Sequence, residues 1–223
     1  MRAFIDLGAF IGDTLEIALK RHKGLDRFYA FEPLTKNFEI LKKKFGDREN
    51  VYLINAAADT EAHKGKFYLG NEWGDEGGSL CDNKTTCFED KFETVACLDF
   101  SKFVTENFSL KDKIILKADI EGKEYDLFKY MIKENSISYI DEIYCEWHYD
   151  RIGLDYRKHR ELIKQLRKRG FNLVGDSSLD EYINVSMMNN VKLQIKRYKF
   201  YYIQEFKNYI RTKHPKLYSL LKS

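Results

Sequence analysis

The stretch IDLGAFIGDTLE, residues 5–16, indicates the fold class of the chain. Its apolar beginning contains one acid, Asp6, and two glycines follow, Gly8 and Gly12, before a helix-like segment. Gly8 lets the backbone turn tightly after a strand, and Gly12 allows a ligand or the next helix to approach closely. Ligands of open α/β sheets bind beyond the carboxyl ends of the strands. The stretch therefore predicts a strand, a ligand-binding turn and a helix.

Strand-like and helix-like segments alternate along the rest of the chain. Residues 27–32 predict a second strand, Pro33 marks a helix start, and residues 51–57 predict a third strand. Further strands are predicted at residues 66–70, 92–98, 113–122, 137–148, 171–175 and 182–188. Short connections between them favour a Rossmann-like α/β fold, with a mostly parallel, doubly wound sheet of about seven strands.

Length and charge limit the class of protein. A chain of 223 residues is long enough for one well-buried α/β domain. The formal net charge is +3, but residues 192–223 contain nine Lys or Arg against one acid, so the remaining residues carry −5. That body is not a nucleic-acid-binding surface. We expect residues 1–190 to form the domain and residues 191–223 a basic, aromatic extension that packs on it.

The extension leaves three interpretations open. It could dock as an ordinary C-terminal helix, form a homodimer, or make a peripheral contact with an anionic membrane surface. Elsewhere, the four cysteines have no CxxC or zinc-finger spacing, and no signal peptide is visible. We therefore expect reduced thiols in a cytoplasmic protein.

The glycine pattern after the first strand favours one kind of nucleoside ligand. A dinucleotide-binding turn has the pattern G-x-G-x-x-G, whereas this chain has D-x-G-x-x-x-G. Glu32 ends the second strand, where a carboxylate can accept hydrogen bonds from both ribose hydroxyls. A ribose without a pyrophosphate cradle indicates S-adenosylmethionine rather than NAD, and Asp6 would lie near its cationic part.

Four segments together resemble the FkbM family of class I methyltransferases: FIDLGAFIGDTLE (4–16), FYAFEPLTKNFEILKKKF (28–45), LKADIEGKEYDLFKYM (116–131) and EIYCEWH (142–148). The resemblance implies a cofactor site for S-adenosylmethionine made of Asp6, Gly8, Ala9, Gly12, Glu32, Ala57, Ala58 and Asp119. It also implies O-methylation, with a sugar hydroxyl of a glycan or glycan precursor as the expected acceptor. The family usually has Asn where Phe10 stands, and often has residues ahead of the first strand.

Two strand ends carry the polar groups that methyl transfer needs. KADIEGKE supplies Asp119, Glu121 and Glu124, and CEWH supplies Glu146 and His148. Residues at i and i+2 share one face of a strand, so Asp119 is expected to pair with Glu121, and Glu146 with His148. His148 is the preferred base because an imidazole titrates near neutrality. Asp119 could orient the acceptor or act as the base itself.

The same four groups could instead hold a divalent cation that acidifies a hydroxyl, although their spacing matches no dedicated metal motif and we predict no metal ligands. The loop at residues 70–80 could be a lid, with Trp73 stacking on a sugar and Ser79 approaching the ligands. The remaining histidines are expected on the surface: His22, His63, His159 and His214.

Three other functions stay open at this point. The acceptor could be a small metabolite or lipid. The chain could be a non-catalytic module that keeps a nucleoside pocket, an idea that Phe10 supports. It could also be an NAD-dependent oxidoreductase, which the absent third glycine weakens.

Overall fold

The computed structural model describes residues 1–70 and 77–173. Its strands are β1 (Arg2–Leu7), β2 (Arg27–Phe31), β3 (Val51–Ile54), β4 (Ala57–Asp59), β5 (His63–Gly70), β6 (Cys87–Asp99), β7 (Lys113–Ala118) and β8 (Glu142–Cys145). Its helices are α1 (Asp13–Arg21), α2 (Thr35–Phe45), α3 (Phe100–Asn107), α4 (Glu124–Lys133) and α5 (Tyr156–Lys168). The predictions for Trp73, His214, residues 182–188 and the extension at residues 191–223 lie outside the described residues.

A five-stranded sheet in the order β3-β2-β1-β7-β8 organises the molecule, and every neighbouring pair in it is parallel. β1 lies in the middle because its residues, AFIDL, are apolar on both faces apart from Asp6. Strand order and parallel pairing confirm the Rossmann-like α/β fold. The described residues place five strands in this sheet, where the sequence indicated about seven.

The strands of this sheet end in register. Leu7 lies beside Phe31 on one side and Ala118 on the other, and Ala118 lies beside Cys145. The residue after each end therefore falls on one edge: Gly8, Glu32, Asp119 and Glu146. Parallel pairing brings together side chains that are far apart in sequence.

Each face of the sheet carries its own core. On one face Phe4, Phe28 and Ala30 pack with α1 and α2, through side chains such as Leu15 and Leu41. On the other face alternate strand residues such as Ile5, Phe31 and Leu116 pack with α3, α4 and α5, through helix side chains such as Phe128 and Leu162. Burial of one large apolar side chain contributes roughly 1.5–3 kcal/mol, so these two cores hold the strand ends in place.

A smaller sheet follows the third strand of the chain, with the order β4-β6-β5. The predicted strand at residues 51–57 is wrong in its length, because it divides between the two sheets. The Asn55 side chain donates to the carbonyl oxygens of Glu32 and Pro33, at 2.9 and 3.1 Å, and this turns the chain away from β3.

Two other predicted strands are shorter than expected. The strand predicted over residues 113–122 ends at Ala118. The strand predicted over residues 137–148 covers only Glu142–Cys145, because Asn135 takes a left-handed conformation and a 3-10 helix occupies Ser136–Tyr139. In the ranges that the structure describes, no helix combines the length and apolarity that crossing a membrane would require.

Candidate active site

The turn after β1 is shaped by contacts within the protein. Gly8 has φ +74°, and a Cβ there would lie 2.0 Å from the carbonyl oxygen of Asp119. Gly12 has φ +92°, and a Cβ there would lie 2.4 Å from Cε2 of Phe45 in α2. Of the two uses predicted for Gly12, close approach of a helix is the one observed. The turn thus brings β1 against both Asp119 and α2.

Phe10 also has a left-handed backbone, with φ +49°. This conformation costs an L-residue roughly 1–2 kcal/mol, and Asn tolerates it better than Phe. The Asn that the family usually has at this place therefore suits the backbone itself. The Phe10 amide donates to Oε2 of Glu32 at 2.9 Å, which joins the turn to the end of β2.

Glu32 lies almost fully buried at the end of β2. Its Oε1 accepts hydrogen bonds from the Leu34 amide at 3.0 Å and the Asn37 side chain at 3.3 Å. Burial nevertheless raises the pKa of Glu32 to about 7, against the lowering effect of these donors. A carboxylate oxygen has two lone-pair sites, so Oε1 is fully used and Oε2, which accepts from the Phe10 amide, keeps capacity for one further hydroxyl donor.

Asp6 is paired inside the sheet. It lies directly beside Lys117 of β7, and its Oδ1 is 3.0 Å from the Lys117 ammonium. The same ammonium donates to the carbonyl oxygens of Leu7 and Gly8, at 3.2 and 2.7 Å. Burial raises the pKa of Asp6 despite this partner. The Asp6 charge is therefore balanced within the protein rather than free to face a cationic ligand.

His148 lies at the centre of a carboxylate cluster and is 1% exposed. Its Nε2 is 3.4 Å from Oε2 of Glu121, 3.6 Å from Oε1 of Glu146 and 3.8 Å from Oδ1 of Asp119. The four residues that the sequence paired two by two are thus brought together. β7 and β8 end before them, so the turns after the strands, rather than strand alternation, bring them together.

The electrostatics of this cluster favour the charged form of His148 and the neutral form of Asp119. Burial opposes a charged imidazole, yet Glu124 and Glu121 raise the pKa of His148 well above its ordinary value. Burial also raises the pKa of Asp119, against the opposing Lys117. Nε2 of His148 and Oδ1 of Asp119 are both buried atoms without a hydrogen bond among the described residues.

Glu124, which the sequence placed among the polar groups of KADIEGKE without a role of its own, fixes the orientation of His148. It is fully buried at the start of α4, and its Oε1 lies 3.1 Å from Nδ1 of His148. Its carboxylate also accepts from the amides of Ile120 and Gly122, at 2.9 and 2.8 Å. One carboxylate therefore holds the turn after β7 and the histidine together.

Glu121 connects the cluster to the segment between β5 and β6. Its Oε2 lies 2.6 Å from the buried Lys84 ammonium and 3.1 Å from the Arg151 guanidinium. Ser79 is fully buried, and its hydroxyl donates to the carbonyl oxygen of Glu121 at 2.7 Å. Ser79 thus positions the backbone of Glu121, whereas its predicted approach to the ligands stays a prediction.

The remaining predicted residues have mixed positions. Ala9 is buried against α1 and α2, while Ala57 and Ala58 are buried in β4 of the smaller sheet. The prediction that His159 is a surface residue is wrong. Its Nδ1 lies 2.9 Å from the Tyr125 hydroxyl, in a buried aromatic group that also contains Trp147.

Two groups of side chains in the described ranges could bring metal-ligand atoms together. One is Asp119, Glu146 and His148, and the other is Asp59, His63 and Cys97 in the smaller sheet. Only the first includes buried polar atoms without a hydrogen bond in the described part of the chain. The second is already engaged, because the Lys123 ammonium lies 3.3 Å from Oδ1 of Asp59.

Known proteins resemble the chain in sequence and in fold. A family profile described as "Methyltransferase FkbM domain" matches residues 6–173. The crystal structure of a methyltransferase FkbM from Methylobacillus flagellatus KT has 15% sequence identity to the chain and a TM-score of 0.46. The match covers 74% of this chain and 38% of that one, so the chain spans well under half of the neighbour's length. No curated protein matches the chain.

Proposed function

The chain belongs to the FkbM methyltransferase family, and from this premise we propose that it transfers a methyl group from S-adenosylmethionine to a sugar hydroxyl of a glycan or glycan precursor. The observation that carries the proposal is the meeting of Asp119, Glu121, Glu146 and His148 beside the glycine turn. Ligands of open α/β sheets bind at this edge.

The cofactor half of the site lies at β1 and β2. S-adenosylmethionine supplies a methyl group on a positively charged sulfur. Glu32 can hold its ribose, because the carboxylate sits at the strand end and accepts donors from the turn and from α2. Two hydrogen bonds hold the glycine turn in place. The Phe10 amide donates to Glu32, and the Lys117 ammonium donates to the carbonyl oxygen of Gly8.

The acceptor half of the site lies at β7 and β8. The side chains of Asp119 and Glu146 are 25% and 39% exposed, whereas that of His148 is 2% exposed. The cluster is therefore open on its carboxylate side, where a hydroxyl can enter. Holding the acceptor in line with the methyl group supplies much of the rate enhancement in such reactions.

Transfer forms a bond from the acceptor oxygen to the methyl carbon and breaks the bond from sulfur to that carbon, whose electron pair remains on sulfur. The hydroxyl proton must leave. The Asp119 carboxylate can take it directly, since its side chain is 25% exposed at the open side of the cluster. His148 was the preferred base on sequence grounds, but Glu124 and Glu121 raise the pKa of its imidazole, which favours a charged ring that stabilises the alkoxide over a role as base.

Binding of the nucleoside is tested by calorimetry on the purified chain. We expect S-adenosylmethionine to bind, NAD not to bind, and Glu32→Ala to weaken binding at least about tenfold, because hydrogen bonds to charged groups contribute roughly 1.5–3 kcal/mol. Binding of NAD alone would overturn the proposal in favour of an oxidoreductase.

Turnover is tested with labelled methyl groups and a panel of sugar, lipid and small-metabolite acceptors. We expect methyl transfer to a sugar hydroxyl that Asp119→Ala or His148→Ala abolishes while cofactor affinity remains. Transfer only to lipids or small metabolites would overturn the acceptor class. Cofactor binding with no transfer to any acceptor would indicate a non-catalytic module.

We also propose a cytoplasmic location. All four cysteines are free thiols in the structure, which is compatible with a reducing compartment.

A further inference from the structure

We propose that Asp119, Glu146 and His148 bind one divalent cation, and that this cation activates the acceptor hydroxyl. The role in activation rests on the proposed function, whereas binding of the cation does not. The three ligand atoms would be Oδ1 of Asp119, Oε1 of Glu146 and Nε2 of His148. No dedicated metal motif is visible in the sequence here, because these ligands follow two separate strands.

The distances fit a cation with small side-chain adjustments. Nε2 of His148 lies 3.8 Å from Oδ1 of Asp119 and 3.6 Å from Oε1 of Glu146. In an octahedral site with bonds of about 2.1 Å, neighbouring ligand atoms lie about 3.0 Å apart and opposite ones about 4.2 Å apart. The observed separations fall between these two values, and they exceed hydrogen-bond length.

The atoms that would face the cation lack hydrogen bonds. Nε2 of His148 and Oδ1 of Asp119 are buried and unbonded among the described residues. Buried polar atoms in folded proteins nearly all have partners, and each exception calls for an explanation such as an ion. A cation between the two atoms satisfies both at once.

The second nitrogen of the histidine is held as metal-bound histidines usually are. Nδ1 of His148 lies 3.1 Å from Oε1 of the buried Glu124. Metal-ligating histidines almost always donate this other ring proton to a carboxylate, a carbonyl or water, which fixes the tautomer and directs the free lone pair at the metal. Here the carboxylate is itself fixed by two backbone amides, of Ile120 and Gly122.

The charge of the surroundings also favours a cation. Lys84 and Arg151 pair with Glu121, and Lys117 pairs with Asp6 and Asp119. Glu124 and Glu146 lie against His148. Acidic side chains therefore outnumber lysines and arginines in this set, which favours the binding of a cation.

The open side of the site leaves coordination positions for the acceptor. Because Asp119 and Glu146 are partly exposed, a hydroxyl can reach a cation held between them. The cation lowers the pKa of a hydroxyl that it binds, and the released proton leaves to solvent. In this form the enzyme needs no protein base, and Asp119 serves as a ligand instead.

The ligand set favours Mn²⁺ over Mg²⁺. Mg²⁺ prefers oxygen ligands and keeps several waters, whereas an imidazole nitrogen suits transition metals. Mn²⁺ accepts both kinds of ligand, and its electron spin resonance signal reports binding directly. It is therefore the probe for the experiment.

The test titrates Mn²⁺ into the full chain after treatment with a chelator, followed by spin resonance and calorimetry. We expect one Mn²⁺ per chain, with the affinity reduced at least about tenfold in His148→Gln and in Glu146→Gln, since loss of even an outer-shell partner costs 10–100-fold. The matched control is His63→Gln, which removes a ligand of the other candidate cluster and should leave binding unchanged.

Three results would overturn the proposal: no saturable Mn²⁺ binding, binding that survives both site variants, or binding that His63→Gln abolishes. Circular dichroism of each variant confirms folding, and Glu146→Gln is informative if His148→Gln unfolds, because Glu146 is the more exposed residue. Mn²⁺ binding without any methyl transfer would support the cation site but contradict the proposed function. Methyl transfer at full rate in the presence of chelator would show that the cation does not activate the acceptor hydroxyl.

Discussion

The carboxylate of Glu124 lies 3.1 Å from Nδ1 of His148 and thereby directs the other ring nitrogen toward Asp119 and Glu146. Both residues are almost completely buried, so this orientation does not depend on the surface. The Glu124 side chain thus connects the start of α4, the turn after β7 and the histidine that follows β8.

We therefore expect Glu124→Gln to reduce methyl transfer by roughly 10–100-fold, the usual effect of removing a carboxylate that orients a histidine. Stability should fall by about 1–3 kcal/mol, because an amide cannot accept from all the donors that the carboxylate serves. The measurements are initial rates and denaturant unfolding. Glu142→Gln is the control, since Glu142 is exposed and contacts the Tyr144 hydroxyl. Equal losses in both variants would contradict the assignment.

Gly8→Ala should unfold the protein or destabilise it by several kcal/mol. The new Cβ would meet the Asp119 carbonyl oxygen at 2.0 Å, on a backbone that L-residues rarely adopt. Gly153→Ala is the control that separates the steric clash from the backbone strain. Gly153 also has positive φ, at +65°, but nothing lies within 4 Å of its would-be Cβ. The free energy of unfolding of this variant should fall only by the roughly 1–2 kcal/mol that the strained backbone costs, as measured by denaturant unfolding. Similar losses for the two variants would show that the close approach of Asp119 is unimportant.

Lys117→Met should cost about 3–5 kcal/mol, because it leaves the Asp6 carboxylate buried without its partner. Adding Asp6→Asn should recover part of this loss, and unfolding of the single and double variants measures the recovery. The loss in Lys117→Met should be larger at pH 8 than at pH 5, since burial raises the pKa of Asp6 and its neutral form needs no ion pair. No recovery in the double variant would mean that Lys117 acts mainly through Leu7 and Gly8.

The affinity for S-adenosylmethionine should fall as the pH falls through 7. The ribose hydroxyls donate to the ionised form of Glu32, and burial raises the pKa of this carboxyl to about 7. At pH 6 only about one tenth of the groups are ionised, so the dissociation constant should be roughly tenfold higher than at pH 8. Calorimetry at several pH values measures this. Glu32→Gln should bind weakly and show no such dependence; a parallel slope in that variant would assign the effect to another group.

Residues 3–45 were predictable for local reasons. Apolar runs and helical spacing mark β1, α1, β2 and α2, and the acid after β2 stands where parallel sheets bind ligands. The meeting of Asp119 with His148 also followed, because parallel strands end on one edge. Its detailed geometry did not, since both residues lie in turns beyond the strands.

The residues that sequence reasoning missed act through partners far away in the chain. Lys117 lies inside the apolar run KIILKA, and a charge within a buried strand was the available signal for an ion pair. Glu124 was named among the polar groups of KADIEGKE, but its contact with His148, 24 residues further along the chain, was not predicted. His159 was expected on the surface, whereas it is buried in α5 and contacts Tyr125 of α4.

The pairing of Asp6 with Lys117 also bears on when the sheet can form during synthesis. β1 leaves the ribosome before β7, yet Asp6 meets Lys117 only after more than a hundred further residues have been made. A nascent chain that stops before β7 must keep the middle of its sheet hydrated or hold Asp6 protonated. Such long-range contacts slow folding. The nucleoside-binding half therefore cannot mature on its own as the N-terminal segment emerges, and its completion awaits the strand that also delivers the acceptor side.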